Sequence, residues 1–153
     1  MREILFRGKD LQEQNGWLYG YFYKSDINKR ERESGKATLI FTPDCDTFIY
    51  VPEYHNSWMV KSETVGQYTG LTDKNGTRIF EEDIVRTDDN LKGVVEWDET
   101  FAKYIVCYNQ ISGNWFDFEG EGGYPVSLEC EIIGNIYDNP ELLKGEQKNE
   151  TTT

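Results

Sequence analysis

The sequence predicts a mainly β fold, in which an aromatic-rich N-terminal β region packs with a small SH3-like, barrel-type C-terminal half that ends in a short helical turn. Three observations predict it. Runs of β-branched and aromatic residues of strand length recur along the chain, as at Thr47–Val51 and Tyr104–Tyr108. Clusters of Gly, Asn, Asp and Pro separate them at short spacing, the pattern of a small sandwich or barrel. In Gln67–Val85, QYTGLTDKNGTRIFEEDIV, two such runs flank Asn75-Gly76. That dipeptide tolerates positive φ at both centres of a type I′ turn, with Asp73 and Lys74 as its wet tip. Aromatic residues make up 14% of the chain, so Tyr, Phe and Trp must fill much of the core.

Each element follows in order. Ile4-Leu5-Phe6 reads as an edge or early strand, and Gly8–Gly16 as polar and turn-like. Trp17–Tyr23 is aromatic at nearly every position. Such a run either buries both faces or turns one aromatic face to a partner. Residues 24–36 are the most polar stretch of the first half and read as a loop, with a short charged helix as the alternative. Ala37–Phe41 and Thr47–Val51 are strands joined by turn chemistry at Pro43–Asp46, and Pro52, which cannot donate to a ladder, ends the second. Trp58–Val60 and Glu63–Val65 lead into the central block. Arg78–Phe80, Asp83–Arg86, Val94–Trp97 and Tyr104–Tyr108 follow as strands, then a turn at Ser112–Asn114 and a strand at Trp115–Phe118. Glu119–Gly123 is glycine-rich and flexible, and Pro125–Ile136 is again strand-like. Asn139-Pro140 reads as an N-cap with Pro at the first helical position. Gly145–Thr153 is a polar, disordered tail. The division expected is a β region at 1–66, a barrel-like region at 67–144 and the tail at 145–153, with one compact unit as the alternative.

Charge is distributed unevenly. The chain carries a formal −12. Residues 1–66 hold nine Lys/Arg against ten Asp/Glu, giving −1, whereas residues 67–153 hold seven against eighteen, giving −11. Proteins that bind duplexes present a basic patch, and this chain lacks that signature. Lys24, Lys29, Arg30, Arg32 and Lys36 cluster locally but are diluted by Asp26, Glu31 and Glu33. No apolar stretch reaches the length of a membrane span, and the N-terminus has no secretory h-region. Cys45, Cys107 and Cys130 are odd in number and form no CxxC pair. They fit buried thiols in a reducing cytosol rather than disulfides or zinc ligands.

A search for chemistry finds no catalytic constellation. The single histidine, His55, lies near Asp44, Asp46 and Glu53 at no standard metal spacing. No nucleophile elbow, Walker loop, dinucleotide fingerprint or EF-hand loop is present, so no cofactor is expected. Glu81-Glu82-Asp83 and Asp88-Asp89 read as a solvated face, with loose cation binding as the alternative. Glu96, Asp98 and Glu99 beside Trp97 resemble a glycosidase-like acidic cluster, but spacing in sequence does not fix carboxylate separation in space, so no site is assigned to them.

Several motifs together resemble one family. They are Arg2–Gly8, Gly16–Gly20, Thr64–Leu71, Asp73–Gly76, Ile79–Glu81, Asp83–Val85, Gly93–Trp97 and Ile132–Leu143. With these the chain resembles the YopX family of phage and prophage proteins along almost its whole length. The family usually has Gly at the position of Glu82, which puts the local turn in question. The resemblance implies a phage or prophage origin, a predominantly β fold, a bacterial host cytoplasm and no established enzymatic activity, and it transfers no catalytic residue.

The function expected is that of a non-enzymatic accessory protein. It would act in the host cytoplasm by protein–protein interaction or self-assembly through Trp17, Tyr19, Tyr21 and Tyr23, with a host protein or a second copy as partner. One alternative is an acidic DNA mimic that inhibits a host nucleic-acid-binding protein. Another is direct nucleic-acid binding by a small β-barrel, which the absence of a basic groove argues against.

Overall fold

The computed structural model describes residues 3–25, 46–109, 114–117 and 130–144. The polar stretch 26–36, the strand expected at Ala37–Phe41, the turn residues 43–45, the turn at 112–113, the glycine-rich 119–123 and the tail from Gly145 lie outside the described residues. The chain is mainly β and forms two compact units, Met1–Gly70 and Leu71–Thr153.

The first unit contains β1 (Phe6–Lys9), β2 (Trp17–Lys24), β3 (Thr47–Val51), β4 (Asn56–Met59) and the start of β5 (Gly66–Thr72). They form antiparallel ladders in the order β4-β3-β2-β1-β5. The strand near the N-terminus is therefore not an edge, because β1 lies between β2 and β5. It is also displaced along the chain, since Gly8 and Lys9 belong to β1 rather than to the turn. Burial alternates along β2 with the period of two that the pleat imposes: Leu18 and Gly20 are buried, Tyr19 and Tyr21 exposed. The inner face builds a core of Leu18, Ile49, Val51 and Val60, with Phe6, Phe22, Trp58 and Val65 packed against it. Gly20 is required by close approach, since a Cβ there would lie 2.0 Å from the carbonyl oxygen of Tyr50. Pro52 ends β3 as expected and opens a 3-10 turn, Pro52–Tyr54.

Buried polar groups organise the loops of this unit. Asp10, 3% exposed, accepts the backbone N–H of Gln12 (3.1 Å) and both the backbone N–H (3.0 Å) and the side-chain amide (2.7 Å) of Asn15. Thr64 Oγ1 accepts the Lys9 N–H at 2.8 Å and donates to the Lys61 carbonyl at 2.7 Å. The bonds to the N–H groups of Gln12, Asn15 and Lys9 satisfy backbone donors in or beside the turns.

In the second unit the end of β5 turns into β6 (Arg78–Phe80). There follow β7 (Asp83–Thr87), β8 (Lys92–Asp98), β9 (Lys103–Asn109), β10 (Asn114–Asp117) and β11 (Cys130–Asn135). The last five form an antiparallel sheet in the order β10-β9-β8-β7-β11. Its described pairings do not join β10 to β11, so the sheet is open among the described residues rather than a closed barrel. Ile79, Val85, Val95, Tyr104, Val106 and Cys130 form its core. The chain then enters a 3-10 turn at Pro140–Leu143. Asn139 is its N-cap, as the sequence predicts, but without a side-chain capping bond.

The hairpin between β5 and β6 differs from the type I′ expectation. Of the pair Asn75-Gly76, only Gly76 takes a positive φ, +80°. The Gly76 N–H donates to the Asp73 carbonyl (2.9 Å) and the Asp73 N–H to the Thr77 carbonyl (2.8 Å). That is the three-residue loop in which a type I turn is followed by a left-handed glycine. Asp73 is not a wet tip residue. It is 4% exposed, and its carboxylate accepts the N–H groups of Asn75 (2.9 Å), Thr77 (2.8 Å) and Ile132 (3.1 Å). The side chain thus fixes the turn and ties it to β11.

Candidate functional site

The pleat of β2 places Trp17, Tyr19, Tyr21 and Tyr23, the residues singled out from the sequence, on one face. Tyr19, Tyr21 and Tyr23 are 47%, 54% and 40% exposed, and Trp17 is half-buried. At about 3.3 Å per residue, neighbouring tyrosines in this row are about 7 Å apart.

Cross-strand register extends the face. Tyr21 lies opposite Tyr50 and Tyr23 opposite Phe48, while Tyr50 and Phe48 lie opposite Ser57 and Met59. Tyr23 stacks on Phe48, with ring centroids 5.3 Å apart and planes inclined by 14°. On the other side Arg7 lies opposite Tyr19 and Lys9 opposite Trp17. The Arg7 guanidinium carbon sits 4.7 Å from the centroid of the Trp17 ring, a cation–π contact that holds the buried arginine under the indole. Sequence reasoning found the row on β2 but missed its flanks, Arg7, Phe48, Tyr50 and Met59. Period-two alternation marks the faces of each strand, but only pairing shows which faces adjoin.

The remaining candidates are dispersed or serve the fold. His55 adopts a left-handed conformation (φ +50°) where the 3-10 turn after β3 ends. Asp44 lies outside the described residues, and among the described residues no three His, Cys, Asp or Glu side chains are grouped to hold a metal ion. Cys107 is half-buried and Cys130 buried, both as free thiols. Burial pushes each up to about 11, helped at Cys107 by the Glu96 carboxylate and at Cys130 by Asp73. Cys45 lies outside the described residues.

Of the run Glu81-Glu82-Asp83, expected on a solvated face, Asp83 is buried and Glu82 half-buried, whereas Asp88 is exposed as expected. Asp83, 2% exposed, accepts the Phe80 N–H at 2.8 Å. Glu82 bonds the Tyr137 hydroxyl, and its own carbonyl accepts the Ile136 N–H at 3.1 Å. It occupies a left-handed conformation (φ +67°), the region where glycine is least strained. Asp88 pairs with Lys74 at 2.8 Å, and Glu131 pairs with Arg86.

A family model described as YopX protein matches residues 5–144. The chain belongs to the YopX family. No match is found among curated proteins. Among solved structures, the crystal structure of protein EF1440 from Enterococcus faecalis is similar at 21% sequence identity. The match covers 94% of this chain and 100% of that one, with a TM-score of 0.49. No helix among the described residues is long and apolar enough to cross a membrane.

Proposed function

We propose that this YopX protein is a phage- or prophage-encoded, non-enzymatic accessory protein that works in the bacterial host cytoplasm by binding a protein partner through the tyrosine face of its first unit. The partner is a host protein or a second copy of the chain. The exposure of Tyr19, Tyr21 and Tyr23 along a single strand supports this reading. Tyrosine supplies a large apolar ring with little rotamer entropy to lose and a hydroxyl that satisfies polar groups at an interface. An isolated exposed aromatic needs no explanation, but a contiguous aromatic face marks an interaction surface.

The acidic-mimic alternative gains no support from the second unit. Asp73, Asp83, Glu82, Asp88 and Glu131 are engaged within it, so they do not offer a row of phosphate-like charges. The binding reading is tested by capture from nuclease-treated host lysate with the wild type and with a Tyr19→Ser, Tyr21→Ser, Tyr23→Ser variant. A stoichiometric partner retained by the wild type and lost by the variant is expected. A partner held equally by both would refute the assignment of this face.

A further inference from the structure

We propose that Asn15-Gly16 and Asn75-Gly76 are deamidation sites closed by the fold: each is held unreactive by a buried aspartate in its turn and reacts when its unit opens.

The chemistry needs only the dipeptide and water. The glycine nitrogen gives its proton to a solvent base and attacks Cγ of the asparagine. An N–Cγ bond forms, the Cγ–Nδ2 bond breaks, and the amide nitrogen takes a proton from solvent and leaves as ammonia. Water then opens the resulting succinimide at either carbonyl, leaving an aspartyl or an isoaspartyl link. Glycine favours the attack because it has no side chain to crowd the nitrogen and lets the backbone rotate freely. Asn-Gly occurs twice in the sequence, once in each unit. Both pairs are exposed, and a Cβ added at Gly16 or Gly76 would meet nothing within 4 Å. Water and base therefore reach both sites, and conformation decides whether either reacts.

In the first unit the restraint falls on the leaving amide. Asn15 donates from its side-chain amide (2.7 Å) and from its backbone N–H (3.0 Å) to the same oxygen, Oδ2 of Asp10. Asp10 is buried, and its own N–H donates to the Gly16 carbonyl at 2.9 Å. To bring Cγ onto the Gly16 nitrogen, the Asn15 side chain must abandon a carboxylate oxygen that has little water to replace it.

In the second unit the restraint falls on the nucleophile. The Gly76 N–H donates to the Asp73 carbonyl at 2.9 Å. Asn75 occupies the third position of this type I turn, where ψ is about 0°. Ring closure needs Cβ of Asn75 and the Gly76 nitrogen nearly eclipsed about the Cα–C bond, so ψ must change and the Gly76 bond must break. The Asp73 carboxylate opposes that change, because it holds the N–H groups of Asn75 and Thr77 and ties the turn to Ile132 on β11.

Reaction would make the opening lasting. A carboxylate in place of the Asn15 amide faces Asp10 as a like charge. An isoaspartyl link at either site lengthens the backbone by a methylene and displaces the N–H groups that the aspartate holds.

The test incubates three samples in mildly alkaline buffer: the native full chain, the full chain in guanidinium chloride, and short synthetic peptides spanning each dipeptide. Peptide mapping by mass spectrometry separates the asparaginyl, aspartyl and isoaspartyl forms at each site. The unfolded chain should react at the peptide rate at both sites, and the native chain about tenfold or more slowly at both. Asp10→Asn keeps one oxygen for the Gln12 N–H but presents an NH₂ group to Asn15. In that variant Asn15 should react about fivefold or more faster than in the native wild type, while Asn75 keeps its wild-type rate. A cooperative melt shows that the variant is folded, and the wild-type samples decide the matter if it is not. Native rates equal to the peptide rates, an unfolded chain that does not react, or a folded Asp10→Asn protein with an unchanged rate at Asn15 would each overturn the inference.

Discussion

Replacing Asp73 by Ala tests how the second unit is held together. The carboxylate accepts three backbone N–H groups, two within its own turn and one from Ile132 on β11. Hydrogen bonds to a charged acceptor contribute about 1.5–3 kcal/mol each in mutational series. Asn75 and Thr77 are exposed, and their amides regain water when the carboxylate is removed, whereas Ile132 is half-buried in a strand and regains less. The expected loss for Asp73→Ala is therefore about 3 kcal/mol, not the sum of three full bonds. Asp73→Asn keeps one carbonyl oxygen for the two turn amides and presents an NH₂ group to Ile132, so it should cost about 1–2 kcal/mol. Urea titration measures both as shifts in midpoint at constant slope. An Asp73→Ala protein within about 0.5 kcal/mol of the wild type would refute the role assigned to this side chain.

The same side chain sets a pH dependence. Burial raises the Asp73 carboxyl, but the N–H groups of Ile132, Thr77 and Asn75 outweigh it and hold the folded group below its ordinary value. A carboxyl with a lowered folded pKa stabilises the protein fully above its unfolded value of about 3.9, and that stabilisation is lost as pH falls through the folded value. The difference in urea midpoint between wild type and Asp73→Asn should be constant near neutrality and shrink as pH drops below about 4. A gap that persists unchanged into that acid range would mean the carboxylate's charge is irrelevant.

Further substitutions probe other points. Glu82→Ala should destabilise by about 1 kcal/mol through loss of the Tyr137 bond, while Glu82→Gly should recover that or more by relieving the left-handed strain; urea midpoints would show the order, and Gly no better than Ala would refute it. Gly20→Ala should cost about 3 kcal/mol or unfold the first unit, because backbone rather than a flexible side chain blocks the new methyl, and near-native melting would contradict the close approach to Tyr50. Cys130, with no exposed surface and a thiol pushed up to about 11, should resist alkylation at neutral pH until denaturant is added, and rapid native labelling would place it at the surface.

Much of the β architecture is legible in the sequence because strand signals are local. Thr47–Val51 and Tyr104–Tyr108 combine β-branched and aromatic residues at strand length, and both lie in strands. What escapes is set by partners distant in sequence. The dipeptide Asn75-Gly76 favours a two-residue turn, but the Asp73 side chain satisfies the amides of a longer one, and its bond to Ile132 spans 59 residues. Glu82 looks hydrated because its partner, the Tyr137 hydroxyl, lies 55 residues away, whereas Asp83 is held by a local group, the Phe80 N–H, that its acidic neighbours disguise. The two faces of β2 are likewise ambiguous in one dimension. Phe22 and Leu18 alternate with tyrosines of similar bulk, and only pairing with β1 and β3 shows that the face bearing Gly20 is the one turned inward.

The charge of the chain and its candidate binding surface therefore lead in different directions. A net −12 invites a search for function among the carboxylates, yet many described in the second unit are committed to backbone amides, a hydroxyl or a neighbouring cation. A carboxylate already accepting such bonds would have to surrender them to meet a partner, and that cost opposes binding. The exposed tyrosines of β2 face the opposite balance. Their ring surface is already in water, and covering it is favourable at about 25 cal/mol per Å². Over on the order of 300 Å² the gross gain is about 7 kcal/mol, from which ordering costs must be subtracted.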